Sequence, residues 1–250
     1  MALIGQIATK LKRWDDRRYA VRNDELDRSV AALASRPRAD AADSVGLAGL
    51  VGQAWTIGQQ IDMSGVGYGP AHWQGSEKFV ATPSPYYHFL AGLVRVLGCR
   101  RIFEVGTHFG GSVLAMKRGI AEPSNAKILT VDVTDLNSAL HSLPGLRKIV
   151  GNANEKTVVQ ESVLYFKGQP IDLMYVDADH SFMPTITNIG LYGILLRPAV
   201  LVIDDIVLNE TMRAMWDVLK AAYGSDAVNC VDIVPEIRSA ACGFGLVRLR

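Results

Sequence analysis

Two periods of hydrophobicity divide this chain. Over residues 1 to about 60, apolar side chains recur every three or four positions among charges, at Leu11, Trp14, Tyr19 and Val21 and then at Leu26, Val30 and Leu33, the spacing of amphipathic helices. From Arg101 onward, short apolar runs rich in β-branched residues alternate with amphipathic stretches near 111 to 121, 136 to 143, 155 to 167, 183 to 196 and 209 to 223. The runs are RIFEVG, KILTVDV, RKIVG, IDLMYVDA and AVLVIDD. Near-continuous apolar strands separated by helices predict a parallel sheet covered on both faces, and right-handed crossovers make it doubly wound. VNCVDIV and GFGLVRLR lie close enough in sequence to form a terminal antiparallel hairpin, which completes a seven-stranded, mostly parallel α/β sheet.

Between the two regions lies SGVGYGPAHWQG, residues 64 to 75, whose glycines forbid a stable helix. Its Tyr68, His72 and Trp73 make it either a lid over a site or a surface loop. Ser84-Pro85 then places an N-cap and a proline at the start of YYHFLAGLVRVL, with Gly98 as the stop, the signature of a helix. The expected organisation is a helical extension with its loop over residues 1 to 80 and an α/β domain over 81 to 250.

Composition narrows the function. With 49% hydrophobic and 20% charged residues, the chain has the balance of a folded globular protein. A net charge of +1 without a Lys/Arg run argues against nucleic acid as partner. The first twenty residues mix charges into their apolar positions and lack a small-residue cleavage site, so no signal peptide is expected, and no apolar run reaches the roughly 20 residues of a membrane span. Three widely spaced cysteines, Cys99, Cys230 and Cys242, fit a reducing compartment and no structural zinc, so a cytoplasmic location is expected. The apolar helical N-terminal region predicts a homo-oligomer.

The chemistry concentrates where strands end. Glu104-Val-Gly106-Thr107-His-Phe-Gly110-Gly111-Ser112 stands at the first strand-to-helix turn, where glycines let the backbone approach a ligand and free N–H groups of the helix start hold a carboxylate. A nicotinamide fingerprint wants GxGxxG, and this spacing does not supply it. The plain alternative is tight packing at a turn. Asp132 ends the second strand, where an acid accepts hydrogen bonds from ribose hydroxyls or caps a helix. Asn152 follows the third.

The fourth run ends in Asp177, followed by Asp179 and His180, and the fifth in Asp204-Asp205. In such a sheet these two strands are neighbours about 4.8 Å apart, so three carboxylates without a Cys/His cluster describe a site for a hard cation, Mg²⁺ or else Mn²⁺ or Ca²⁺. Consecutive strand residues point to opposite faces, so Asp204 and Asp205 both ligate only if the strand has ended there; otherwise Asp204 caps the next segment. His180 after a strand is either a proton acceptor or a loop residue. His108 belongs to the glycine turn, and His72, His88 and His141 show no ligand spacing.

The E-x-G-x-x-x-G-x-S segment resembles the first motif of class I S-adenosylmethionine-dependent methyltransferases, which have a Rossmann-like fold. The resemblance implies S-adenosylmethionine as cofactor, held by Glu104, Gly106, Thr107, Gly110, Ser112, Asp132, Asn152 and Asp177, although an aspartate is commoner in the family where this chain has Asn152. The D-x-D-H-S and L-L-R-P-x-x-x-x-x-D-D segments resemble metal-dependent O-methyltransferases acting on sugars and macrolide glycosides, with cephalosporin-hydroxylase-like relatives. By that resemblance Asp177, Asp204 and Asp205 hold the metal, and Asp177 and His180 are catalytic, His180 as general base. Where relatives often read R-P-G-G, this chain has Arg197-Pro198-Ala199-Val200. The expected activity is metal-assisted O-methylation of a small-molecule hydroxyl on a sugar, a glycosylated or a phenolic compound. The alternatives are a metal-independent methyltransferase and a non-catalytic cofactor-binding partner of an active subunit.

Overall fold

All five apolar runs form strands: β1 (Arg101–Val105), β2 (Lys127–Asp132), β3 (Leu146–Val150), β4 (Leu173–Val176) and β5 (Val200–Asp204). With β6 (Ala227–Asn229) and β7 (Phe244–Arg248) they make a seven-stranded sheet of order β3-β2-β1-β4-β5-β7-β6. β1 to β5 pair in parallel, and β7 runs antiparallel to both β5 and β6. This is the Rossmann-like architecture expected. The computed structural model describes residues 46–67 and 80–249. The helices expected around Leu11 to Leu33, and Tyr68, His72 and Trp73 of the glycine-rich loop, lie outside the described residues.

Alternation along the strands divides the core in two. Ile102, Ile128, Leu173, Tyr175, Val202 and Leu246 point to one face, together with α1 (Leu47–Gly58), α2 (Pro85–Val96) and α3 (Gly111–Gly119). Phe103, Leu129, Met174, Val176, Leu201 and Val247 point to the other, where α4 (Lys156–Tyr165), α5 (Phe182–Leu196) and α6 (Glu210–Tyr223) cover them. Burial on both faces is why the strands read as unbroken apolar runs. Helices α1 and α2 meet backbone to backbone: a Cβ at Gly92 would stand 1.8 Å from the Ala54 carbonyl oxygen, and one at Gly58 1.9 Å from that of His88. Residues 46–67 therefore share the sheet's core.

Two elements differ from expectation. The stretch 136 to 143 is a single 3₁₀ turn, Ser138–Ser142, opened by the Asn137 side chain accepting from the Ala139 N–H; Pro144 follows too soon for a longer helix. VNCVDIV extends as a strand only to Asn229. The Asn229 carboxamide oxygen accepts from the N–H of Val231 and of Phe244, so the chain leaves the ladder and turns through Cys230–Asp232. Helix α2 begins as expected at Pro85, although Ser84 makes no side-chain cap bond. Among the described residues no helix is long and apolar enough to cross a membrane.

Candidate active site

The order of the strands reverses between β1 and β4, and a crevice opens at their carboxyl ends, the place where doubly wound sheets bind ligands. A cavity of about 540 Å³ occupies it, within the ordinary range for small-molecule sites. Every strand from β1 to β5 contributes to its wall: Gly106 and His108 after β1, Asp132 on β2, Asn152 after β3, Asp177 and His180 after β4, Asp204 and Asp205 at the end of β5. Hydrogen bonds from Gly106 N to Val131 O, Gly151 N to Asp132 O and Asp177 N to Val105 O carry the sheet up to this rim and fix it.

The glycine turn divides into a face and a support. Gly106 has φ +99°, and a Cβ there would stand 1.7 Å from the Asp177 carbonyl oxygen, so only glycine lets the β1 turn pass the end of β4. Gly110 at φ +87° precedes α3. Glu104, Thr107, Gly110 and Ser112 do not line the cavity. Glu104 is fully buried and accepts hydrogen bonds from Ser112 Oγ (2.5 Å) and Thr130 Oγ1 (2.5 Å), while Thr107 and Thr130 share a third. In the structure the side chains of Glu104, Thr107 and Ser112 brace the turn through these bonds. Burial pushes the Glu104 carboxyl up to about 8, against the pull of its two hydroxyl donors. In the unfolded chain it ionises near 4.5, so between these values the folded state keeps a proton the unfolded state has lost, and stability falls as pH rises. Wild type should lose on the order of 4 kcal/mol from this group between pH 4.5 and 8.5, and Glu104→Gln should remove that part of the slope. Urea unfolding at several pH values checks it; parallel curves for the two proteins would refute the assignment.

Asp132 and Asn152 both face the crevice. Asp132 accepts from the His108 N–H (2.7 Å) through one oxygen and from Thr134 through the other, which ties the acid to the glycine turn. The Asn152 side chain caps its own turn by accepting from the Asn154 N–H. Asn188, from α5, adds a wall residue that sequence reasoning passed over; its Oδ1 is buried and has no hydrogen-bond partner among the described residues. Nothing in the α5 pattern distinguished it from a helix polar position.

The acidic residues converge. β5 ends at Asp204, and Asp205 takes a left-handed backbone, φ +56°, so the two side chains turn to the same side, which a continuing strand would forbid. His180 Nε2 stands 3.3 Å from Asp177 Oδ1 and 3.4 Å from Asp205 Oδ2. The hydrogen bond with Asp177 raises the His180 pKa above its ordinary value, against the opposing effect of burial. Asp177 is itself held by the Tyr175 hydroxyl (3.1 Å), two positions back on the same strand face. Burial keeps that phenol protonated, its pKa well above the usual value, so it remains a donor.

A residue outside the expected set fills the middle. Arg238 Nε donates to Asp204 Oδ1 (3.0 Å) and Nη2 to Asp205 Oδ1 (2.9 Å). Its Nη2 also lies 3.0 Å from Asp204 Oδ2, close enough for charge attraction but too poorly aligned to count as a hydrogen bond. Mg²⁺ requires oxygens at about 2.0 to 2.1 Å in near-octahedral array, whereas here the guanidinium bridges Asp204 Oδ1 and Asp205 Oδ1. Among the described residues no group of three His, Cys, Asp or Glu has a metal-ligating arrangement. The set Asp177, Asp204 and Asp205 is thus brought together, but this arrangement does not fit a divalent ion, contrary to the expectation from the carboxylates alone.

Asn209 was also missed as a site residue. It caps α6, its Oδ1 accepting from Thr211 N and Met212 N, while its Nδ2 donates to the His180 carbonyl oxygen (2.8 Å). The cap was readable from Asn-Glu-Thr before an amphipathic run; the second bond, 29 positions away, was not.

This sheet order, with its glycine turn at β1 and acid on β2, defines a class I S-adenosylmethionine-dependent methyltransferase. The chain belongs to the O-methyltransferase family, whose model matches residues 74–217. Among solved structures, it is similar to the O-methyltransferase TomG from Streptomyces achromogenes, involved in tomaymycin synthesis and crystallised with S-adenosylmethionine. That match has 21% identity, covers 78% of this chain and 89% of that one, and has a TM-score of 0.51. An O-methyltransferase from Bacillus cereus in complex with S-adenosylhomocysteine matches at 17% identity over 80% of this chain and 90% of its own, TM-score 0.48. MycE from the mycinamycin pathway, crystallised with Mg, S-adenosylhomocysteine and mycinamycin VI, matches at 17% over 62% of this chain and 46% of its own, TM-score 0.43. No curated protein matches this chain in sequence.

Proposed function

We propose that this enzyme methylates a hydroxyl of a small molecule, with His180 as general base, and that the crevice at the β1/β4 switch holds donor and acceptor side by side. The observation that carries the reading is the placement of His180, between Asp177 and Asp205 on the cavity wall, opposite the cofactor elements Gly106, Asp132 and Asn152. S-adenosylmethionine, when bound, supplies an electrophilic methyl on a sulfonium. Asp132 offers its carboxylate to ribose hydroxyls, and Asn152 and Asn188 offer amide groups to the adenine. The unpartnered Asn188 oxygen supports this assignment, since a buried acceptor is costly until a donor reaches it.

An alcohol is a poor nucleophile while it keeps its proton. Neutral His180, whose Nε2–H faces Asp177 Oδ1, accepts that proton at Nδ1 as the oxygen attacks in line, and Asp177 stabilises the imidazolium that results. Asp177, gripped by Tyr175, and the His180 backbone, gripped by Asn209, fix the ring before the acceptor arrives. A cavity of about 540 Å³ suits a donor and a compact acceptor such as a sugar or a phenol, not a polymer.

Incubation with S-adenosylmethionine and a panel of sugar and phenolic hydroxyl acceptors, read by formation of S-adenosylhomocysteine, tests the reading; transfer only to amines would refute it. Asp132→Ala should weaken S-adenosylhomocysteine about 10- to 100-fold by calorimetry, as expected for hydrogen bonds to a charged group. Unaltered affinity would take Asp132 out of the ribose site.

A further inference from the structure

The carboxylate cluster carries its own cation. Arg238 comes from the segment between β6 and β7, and its neighbour Ile237 is fully buried, anchoring the backbone from which the guanidinium extends. The guanidinium spans Asp204 and Asp205 at 2.9 to 3.0 Å and lies 4.8 Å from the centre of the Tyr86 ring, a cation–π contact. Its side chain is 17% exposed. Two adjacent carboxylates, one of them fully buried, cannot stay ionised without a compensating charge. Here a planar fork meets both, with an aromatic ring beside it. The other oxygen of Asp205 faces His180, which in turn faces Asp177.

We propose that Arg238 is the resident counter-cation of this cluster, standing where the carboxylate pattern calls for a divalent metal, and that metal and guanidinium exclude one another. The pattern D-x-D-H-S with a paired Asp-Asp is thereby kept without the ion it ordinarily signals. The fixed guanidinium supplies the positive charge that holds Asp204 and Asp205 oriented, and with them the Asp205 side of His180. Lysine cannot replace it fully, because a single ammonium lacks the two-pronged geometry that engages both carboxylates.

The test is direct metal binding by the full chain, with Mn²⁺ as the probe, read by calorimetry and by the loss of the free-ion electron paramagnetic resonance signal. Wild type should show no saturable site at submillimolar Mn²⁺. Arg238→Met should acquire one, tighter by on the order of 100-fold, because the variant takes the guanidinium away from two buried carboxylates. The double variant Arg238→Met with Asp205→Asn should lose it again. Arg238→Lys, which keeps the charge, should fall between wild type and Arg238→Met and serves if the methionine variant does not fold. Saturable micromolar Mn²⁺ binding by wild type overturns the proposal whatever the variants do, as does an affinity in Arg238→Lys equal to wild type alongside no gain in Arg238→Met. The readout involves no acceptor, so failure to find a methylated hydroxyl is distinguishable from failure of this inference.

Discussion

Replacing His180 with alanine should lower methyl-transfer turnover by about 10² to 10⁴-fold, the range for loss of a general base, with little change in affinity for S-adenosylhomocysteine. The residues proposed for the cofactor and the proposed base come from different strand ends: Gly106 follows β1, Asp132 ends β2 and Asn152 follows β3, whereas His180 follows β4. His180→Gln should behave like alanine, since it retains hydrogen bonding but cannot take a proton. Single-turnover rates and calorimetry separate the two quantities. Turnover within a few-fold of wild type would mean that the imidazole only fills space between Asp177 and Asp205.

The second large effect is expected at Gly106. Alanine there meets two obstacles at once: a φ of +99° that an L side chain rarely adopts, and a Cβ 1.7 Å from the Asp177 carbonyl oxygen. The first costs about 1 to 2 kcal/mol; the second forces β1 and the end of β4 apart at the point where the sheet hydrogen bonds run out into the site. We expect Gly106→Ala to destabilise by about 4 kcal/mol, a fall of roughly 10 °C in Tm for a chain of this size, and to abolish measurable S-adenosylhomocysteine binding. A melting point within a degree or two of wild type, with cofactor binding intact, would contradict the geometry.

Much of the architecture was legible in the chain because burial on both sheet faces imposes unbroken apolar strands, and RIFEVG, KILTVDV and AVLVIDD announce that directly. The rim was legible too, because a residue at the end of a strand has only a few places to point. What the sequence concealed were the partners of those residues. Arg238 lies in a segment without helical or strand period, 33 positions from Asp205, and no local spacing marks it as the cation of that pair. Glu104 was assigned to the cofactor because acids in glycine turns carry that association; the two hydroxyls that bind its carboxylate, on Ser112 and Thr130, had no local signal. The terminal hairpin was overextended for a similar reason: VNCVDIV has strand composition, and the Asn229 side chain, accepting from Val231 N and from the distant Phe244 N, ends it.

Asn209 ties two properties that are usually independent. The same carboxamide begins α6 and suspends the loop that bears His180, so fraying at that helix end would let the imidazole wander. Drift in the first turn of a surface helix would then register as a catalytic defect well before any global melting, and a screen for activity at this position would in effect be a screen for how well a helix starts.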